Sequence, residues 1–370
     1  MGARSLWTPA AGTPLDRVWA DMGTVVLVSL AAKVVACAIA FPAVGLPISA
    51  VPVFVARLSL RWDATIFLAL ARYGYHLVMP GLSYGSAYAY APLFPAVLRL
   101  VGAGWFSPVV VSNLAGLAAA AALVPLLGRN AALFFSLFPT WVAFSTVGYS
   151  ESLFVLCAAL GLSAYRARWS DGAGALAAGV LMAAAVATRY MAGPAVVAFA
   201  LVSNASWQKR VWFLIPLAAA AVEIAAWHWA DTRTPFAYFL AERLQWGVHF
   251  GWPWQQAWWF LHLSSAGGAR VTPWAWLARQ WGAAAISGAG CWLLWRDGER
   301  GLAAFSGVVV VATLCVVGTP SGPRLLLAGF PAIAVLGTRL RPGWAWAGYA
   351  AVSSVASAWI IVQHLTRFFA

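Results

Sequence analysis

From residue 22 to residue 41 the chain carries a single charge, Lys33, and comparable apolar runs recur along its length. Such a run has the length a helix needs to cross a hydrocarbon core of about 30 Å at a rise of about 1.5 Å per residue. Backbone groups in lipid find no water to bond, so repeated spans of this kind leave a helical bundle as the fold. Composition agrees: 63% of the residues are hydrophobic and 9% charged, against about 45–50% and about 25% in soluble domains. The expectation is an all-α polytopic membrane protein, a single integral-membrane domain over residues 1–370.

Apolar runs and their breaks predict spans at about 22–41, 106–126, 131–147, 151–167, 173–190, 192–207, 211–229, 274–295, 301–317, 324–338 and 343–364, about eleven in all. The first is read as a retained helix, because it lacks a small-residue cleavage site and follows Asp16, Arg17 and Asp21. The connectors then sort by charge. Arg129, Arg166 with Arg168, Lys209 with Arg210, Arg296 with Arg300, and Arg339 with Arg341 fall on the side of the N-terminus. The positive-inside rule makes that side cytoplasmic. The net charge of +13 is thereby read as topology signals and anion contacts, with no nucleic-acid partner.

The opposite face receives two long segments, about 42–105 and 230–273, and three short turns near 145–150, 187–191 and 318–323. Aromatic runs such as GWPWQQAWWFLHL suit short helices lying in the interface. Asp63, the run TVGYSES (146–152), ATRYMAG (187–193) and GTPSGPR (318–324) all land on this face. Polar groups far apart in sequence therefore converge on one site.

Each candidate also has a plain structural reading. Asp63 could cap a helix over about 64–73 that closes at Gly74. Glu151 follows Ser150 at a helix start, where an acid suits the dipole, and Arg189 ends a span, where a cation does. Arg324 opens a helix after Pro323, against the dipole, so an anionic partner is expected for it. Glu242, Gln245, Trp246 and His249 recur at helical spacing and are expected on one face of a short helix. The five histidines show no ligand spacing and the four cysteines neither a metal nor a disulfide pattern. GAGALAAG (172–179) opens a span, which favours small-residue helix packing over a nucleotide loop.

Many spans, an acid and several arginines on one face, and no soluble nucleotide-binding domain suit an enzyme that acts on a lipid-linked phosphate sugar. Such chemistry needs a carboxylate to take a proton from the acceptor hydroxyl. It also needs fixed positive charge for the departing phosphate. Asp63 and Arg324 can supply these, with Arg189 as a second cation.

RWDATIFLALARYGY (61–75), YAPLFPAVLRL (90–100), GYSESLFVL (148–156), ATRYMAG and SGPRLLLAGFPAIAVLG (321–337) resemble, in order, the motifs of the PIG-V-like mannosyltransferases. These are relatives of the second mannosyltransferase of GPI-anchor synthesis, within the GT-C glycosyltransferase fold. The resemblance spans about residues 61–337. It implies inverting transfer of mannose from polyprenyl- or dolichyl-phosphate mannose to a lipid-linked glycan acceptor on the non-cytoplasmic face. It puts Asp63 in the place of the essential acid of the first external loop, with Glu151 and Arg324 binding substrate. Arg61, Trp62, Tyr90, Tyr149 and Ser150 belong to the same motifs and complete the expected substrate set with Glu242, Gln245, Trp246 and His249. No cofactor is expected; the isolated acids at Asp63 and Glu151 leave a divalent metal open without supporting one. The short, arginine-rich chain points to a prokaryotic cell membrane, with the site external; in a eukaryote the site would be lumenal in the endoplasmic reticulum. Competing readings are transfer of another lipid-phosphate sugar, a protein acceptor, a lipid-linked sugar flippase or transporter, and a noncatalytic subunit.

Overall fold

Prolines and glycines decide where the apolar runs break. The computed structural model describes residues 15–76, 85–167, 172–262, 273–341 and 343–366. Arg168, expected beside Arg166, lies outside them, as do 77–84 and 263–272 of the two long segments. Helix α1 (Leu15–Ala43) is followed in the first long segment by α2 (Val51–Ser59), α3 (Asp63–Tyr73) and α4 (Leu93–Leu100). Helix α5 (Ser107–Leu127) stops at Gly128. The span expected at 131–147 is two helices, α6 (Arg129–Leu137) and α7 (Pro139–Thr146). Phe138 between them is extended because the ring of Pro139 disfavours a helical residue before it. Helix α8 (Glu151–Arg166) leaves α7 at 113°.

Next come α9 (Ala173–Thr188), α10 (Gly193–Val202) and α11 (Trp207–Thr232). The second long segment holds α12 (Ala237–Trp246), strand β1 (His249–Phe250) and α13 (Pro253–Leu261). Helices α14 (Pro273–Arg296) and α15 (Arg300–Leu314) precede strand β2 (Val316–Val317), which pairs antiparallel with β1. The helix expected at 324–338 is in pieces: α16 (Gly322–Leu325), a 3₁₀ turn, α17 (Phe330–Val335) and another 3₁₀ turn. Pro323 and Pro331 sit at the starts of the two α pieces, each removing an N–H that a continuous ladder would use. Helix α18 (Gly343–Thr366) ends the described chain.

Among the described residues, α1, α5, α11 and α18 are long and apolar enough to cross a membrane, and the bent α7–α8 pair counts as a fifth when its two helices are taken as one broken span. Helices α9 and α15 and the stretch Tyr190–Val202 are apolar but shorter. Only 17% of the most apolar window of α11 is buried inside the protein. The remainder would be a large apolar patch in water and is ordinary surface in lipid. This is an all-α polytopic membrane protein.

Between lipid-embedded helices close backbone approach replaces the hydrophobic effect as the packing force. Helix α9 packs on α8 and α11, and a Cβ on Gly179 would lie 2.2 Å from the carbonyl oxygen of Phe213. Gly179 of GAGALAAG thus serves helix contact, whereas Gly172, before α9, has open space around it. Helix α15 contacts α10 and α14, and α1 contacts α5 and α18.

The two ends of the bundle differ. At one, the arginine-bearing turns form ion pairs: Arg166 to Glu299 at 2.8 Å, Arg339 to Asp297 at 2.7 Å and Arg129 to Asp21 at 3.3 Å. Helix α8 runs from there to Glu151, and α15 from Arg300 to the β2 strand, so Glu151 and β2 stand at the other end.

Candidate active site

A cavity of about 800 Å³ opens at that second end. Its wall is built by α3, the turn around Tyr90, the α7–α8 link, the 188–191 turn, α12 and the chain from β2 to α16.

Arg324 organises it. Its Nη1 lies 2.6 Å from Asp63 Oδ2, and its Nε donates to Glu151 Oε1. Arg189 Nη1 donates to the same Glu151 oxygen at 2.5 Å. Glu151 is 1% exposed, and its second oxygen accepts no hydrogen bond among the described residues. The Arg324 guanidinium also stands 4.4 Å from the Tyr149 ring centroid, a cation–π distance. Tyr90 donates its hydroxyl to Asp63 Oδ1 at 3.4 Å. Two arginines and two carboxylates thus form one continuous cluster. Asp63, Arg189 and Arg324 reach the cavity surface, with Glu151 behind them.

Local backbone explains the placement of Asp63. Trp62, not Asp63, is the N-cap of α3 and makes no side-chain cap bond. Asp63 is the first helical residue, so its carboxylate is free to meet Arg324. Trp62 holds φ at +53°, a left-handed conformation that an aromatic residue adopts at a cost of about 1–3 kcal/mol. Its indole Nε1 donates to the carbonyl of His364 in α18 at 3.0 Å, which anchors the turn. The expected anionic partner of Arg324 is present twice over. The dipole argument behind that expectation does not apply, since α16 is a single turn.

The expected face of Glu242, Gln245, Trp246 and His249 is corrected. Helix α12 ends at Trp246, because Gly247 is left-handed, and His249 belongs to strand β1. Glu242, Trp246 and His249 still line the cavity, the histidine arriving through the strand pair. Gln245 lies outside the lining, since at about 100° per residue it turns to the other side of Glu242 from Trp246. Arg61, before the left-handed Trp62, is also outside it, whereas Trp62, Tyr90, Tyr149 and Ser150 are all in the wall.

Sequence reasoning missed Tyr238, Arg243 and Phe250 in the wall and the strand pair itself. His249 opposes Val317 and Phe250 opposes Val316, so α12 and the 318–323 turn are tied together. Gly318 permits the approach: its φ is +95°, and a Cβ there would lie 2.5 Å from the Gly247 carbonyl oxygen. Glycines at both 247 and 318 were the available signal.

Glu242 is the odd acid. It lines the cavity but joins no ion pair among the described residues. Burial, then the charge of Asp63, push its pKa up to about 7 against the pull of Arg324 and Arg189. Burial and then Asp63 likewise raise the Tyr90 hydroxyl well above its ordinary value, so Tyr90 remains a donor. No three His, Cys, Asp or Glu side chains among the described residues gather into a metal-holding group.

No family model matches the chain, and no curated protein matches it. Among solved structures it is similar, at 15% identity and a TM-score of 0.48, to the crystal structure of ArnT from Cupriavidus metallidurans bound to undecaprenyl phosphate. The likeness covers 85% of this chain and 63% of that one. The chain thus spans less than two thirds of the length of that protein.

Proposed function

We propose that the protein is a glycosyltransferase of the GT-C type that takes its sugar from a polyprenyl or dolichyl phosphate carrier. The observation that carries the reading is Arg324, held between Asp63 and Glu151 on the wall of a large cavity at one end of a membrane bundle. A guanidinium so placed can exchange a carboxylate for a phosphate, since both accept its planar fork of N–H donors.

In this reading the donor phosphate draws Arg324 away from Asp63, while Glu151, itself held by Arg189, keeps the Arg324 guanidinium in place. Asp63, relieved of its partner, takes the proton from the acceptor hydroxyl. The acceptor oxygen attacks the anomeric carbon from the face opposite the phosphate. The bond from that carbon to the phosphate oxygen breaks, and the phosphate leaves with the electron pair, stabilised by Arg324 and Arg189. The product is inverted. Mannose as the sugar, a lipid-linked glycan as acceptor and an external or lumenal site rest on the motif resemblance and on the arginine turns at the other end.

The test is transfer by purified protein in detergent from labelled polyprenyl-phosphate mannose into membrane lipid extract. Wild type should transfer, and Asp63→Asn should lose about 10²–10⁴-fold while still folded in detergent. Near-normal turnover by the variant removes Asp63 from the mechanism. Wild-type protein that binds the donor and transfers nothing overturns the enzyme reading in favour of a lipid-linked sugar flippase.

A further inference from the structure

Lys33 is 4% exposed inside the bundle and forms no ion pair among the described residues. An ionisable side chain at such a place in a membrane protein calls for a role. Its Nζ donates to the Ser145 carbonyl at 2.7 Å and to Asn113 Oδ1 at 3.1 Å. Asn113 Nδ2 in turn donates to the carbonyls of Thr146 at 2.9 Å and Val109 at 2.8 Å. Ser145 and Thr146 are the last residues of α7. Their carbonyls face no next turn of helix, because the chain swings through 113° into α8. Away from water these oxygens need donors, and α1 and α5 provide them. Gly116 makes the room: a Cβ there would lie 3.0 Å from Lys33 Nζ and 3.1 Å from both Ser145 Cβ and Ser152 Oγ.

Beyond this capped end come Tyr149, which stacks under Arg324, and Glu151, which binds Arg324 and Arg189. We propose that Lys33 is a positioning residue that, through Ser145 and Asn113, fixes the α7–α8 turn and so sets Glu151 and Tyr149 against Arg324. A donor on a neighbouring helix thereby aims a carboxylate it does not touch.

The test compares wild type with Lys33→Met, which keeps the bulk of the chain and removes the donor, and Lys33→Gln, which keeps a shorter donor. Amide hydrogen exchange in detergent, read on peptides covering 147–154, should speed up about tenfold in the Met variant, with less change in the Gln variant. Peptides from the rest of α1 and α5 should hold their wild-type rates. Affinity for undecaprenyl phosphate should fall in the same order, by about 10–10²-fold for Met. Wild-type exchange over 147–154, faster exchange spread evenly over α1 and α5, or local loosening with unchanged affinity each overturns the proposal. If Lys33→Met does not fold, Lys33→Gln decides by the same readings. The affinity arm rests on the proposed function and the exchange arm does not. If wild type fails to bind the lipid phosphate, that function fails and exchange alone judges Lys33.

Discussion

Both ends of the bundle pair arginines with carboxylates, yet they do so on different terms. At the arginine turns each arginine meets one close acid: Arg166 reaches Glu299, and Arg339, 39% exposed, grips Asp297 with one nitrogen on both oxygens. At the cavity Arg324 is shared by two acids from helices far apart in sequence, and one of those acids is shared with a second arginine. The first arrangement fastens neighbouring turns. In the function proposed above, the second holds a guanidinium beside an open space, with Asp63 as its exchangeable partner. On that proposal the same chemical pair fastens the chain where each arginine meets one acid, and serves the reaction where one arginine spans two acids beside a cavity.

The sharpest way to break that contrast is Arg324→Ala. Removing it strands Asp63 and Glu151 as partly compensated acids, at an expected loss of about 3–5 kcal/mol. Thermal unfolding in detergent reads this. Adding Asp63→Asn and Glu151→Gln should recover much of the stability without restoring binding of a lipid phosphate. A single variant as stable as wild type would mean the cavity cluster is no more than another pair of surface bridges.

Next in size is the pH response of Glu242. Its folded pKa of about 7 lies above an unfolded value of about 4.3, so the folded state holds the extra proton between the two. Stability therefore falls as pH rises from about 4.3 to 7, by roughly 3–4 kcal/mol in all, and is level above that. Glu242→Gln should remove that slope from the unfolding temperature measured across the range. A slope that survives the substitution assigns it to another group.

The smallest effect belongs to the arginine end. Arg339→Ala should shift stability by about 0.5 kcal/mol, and less at high salt. A loss as large as that of Arg324→Ala would erase the distinction between the two ends.

The helices were largely legible because lipid imposes one solution on an apolar run, and charge on the connectors sorted Asp63, Glu151, Arg189 and Arg324 onto a common end. The breaks inside spans were less so. Phe138–Pro139 and Pro331 carry the necessary prolines, but an apolar run through them reads as continuous when length alone is counted. His249 was misplaced because helical spacing says nothing of a left-handed Gly247, and a two-residue strand pair depends on a partner far along the chain, Val317. Lys33 was read only as the single charge of the first span, since its backbone acceptor is a carbonyl at a helix end that sequence did not reveal.

The shared position of Arg324 also bears on how the protein is made. Asp63 leaves the ribosome about 260 residues before Arg324, an interval of roughly 10–50 s at about 5–20 residues per second. Glu151 enters the bundle within that interval, and Arg189 follows soon after. Through it, one acid has no arginine and the other has half of its eventual complement. The cluster at the cavity is therefore complete only when its last charged member, Arg324, has been made.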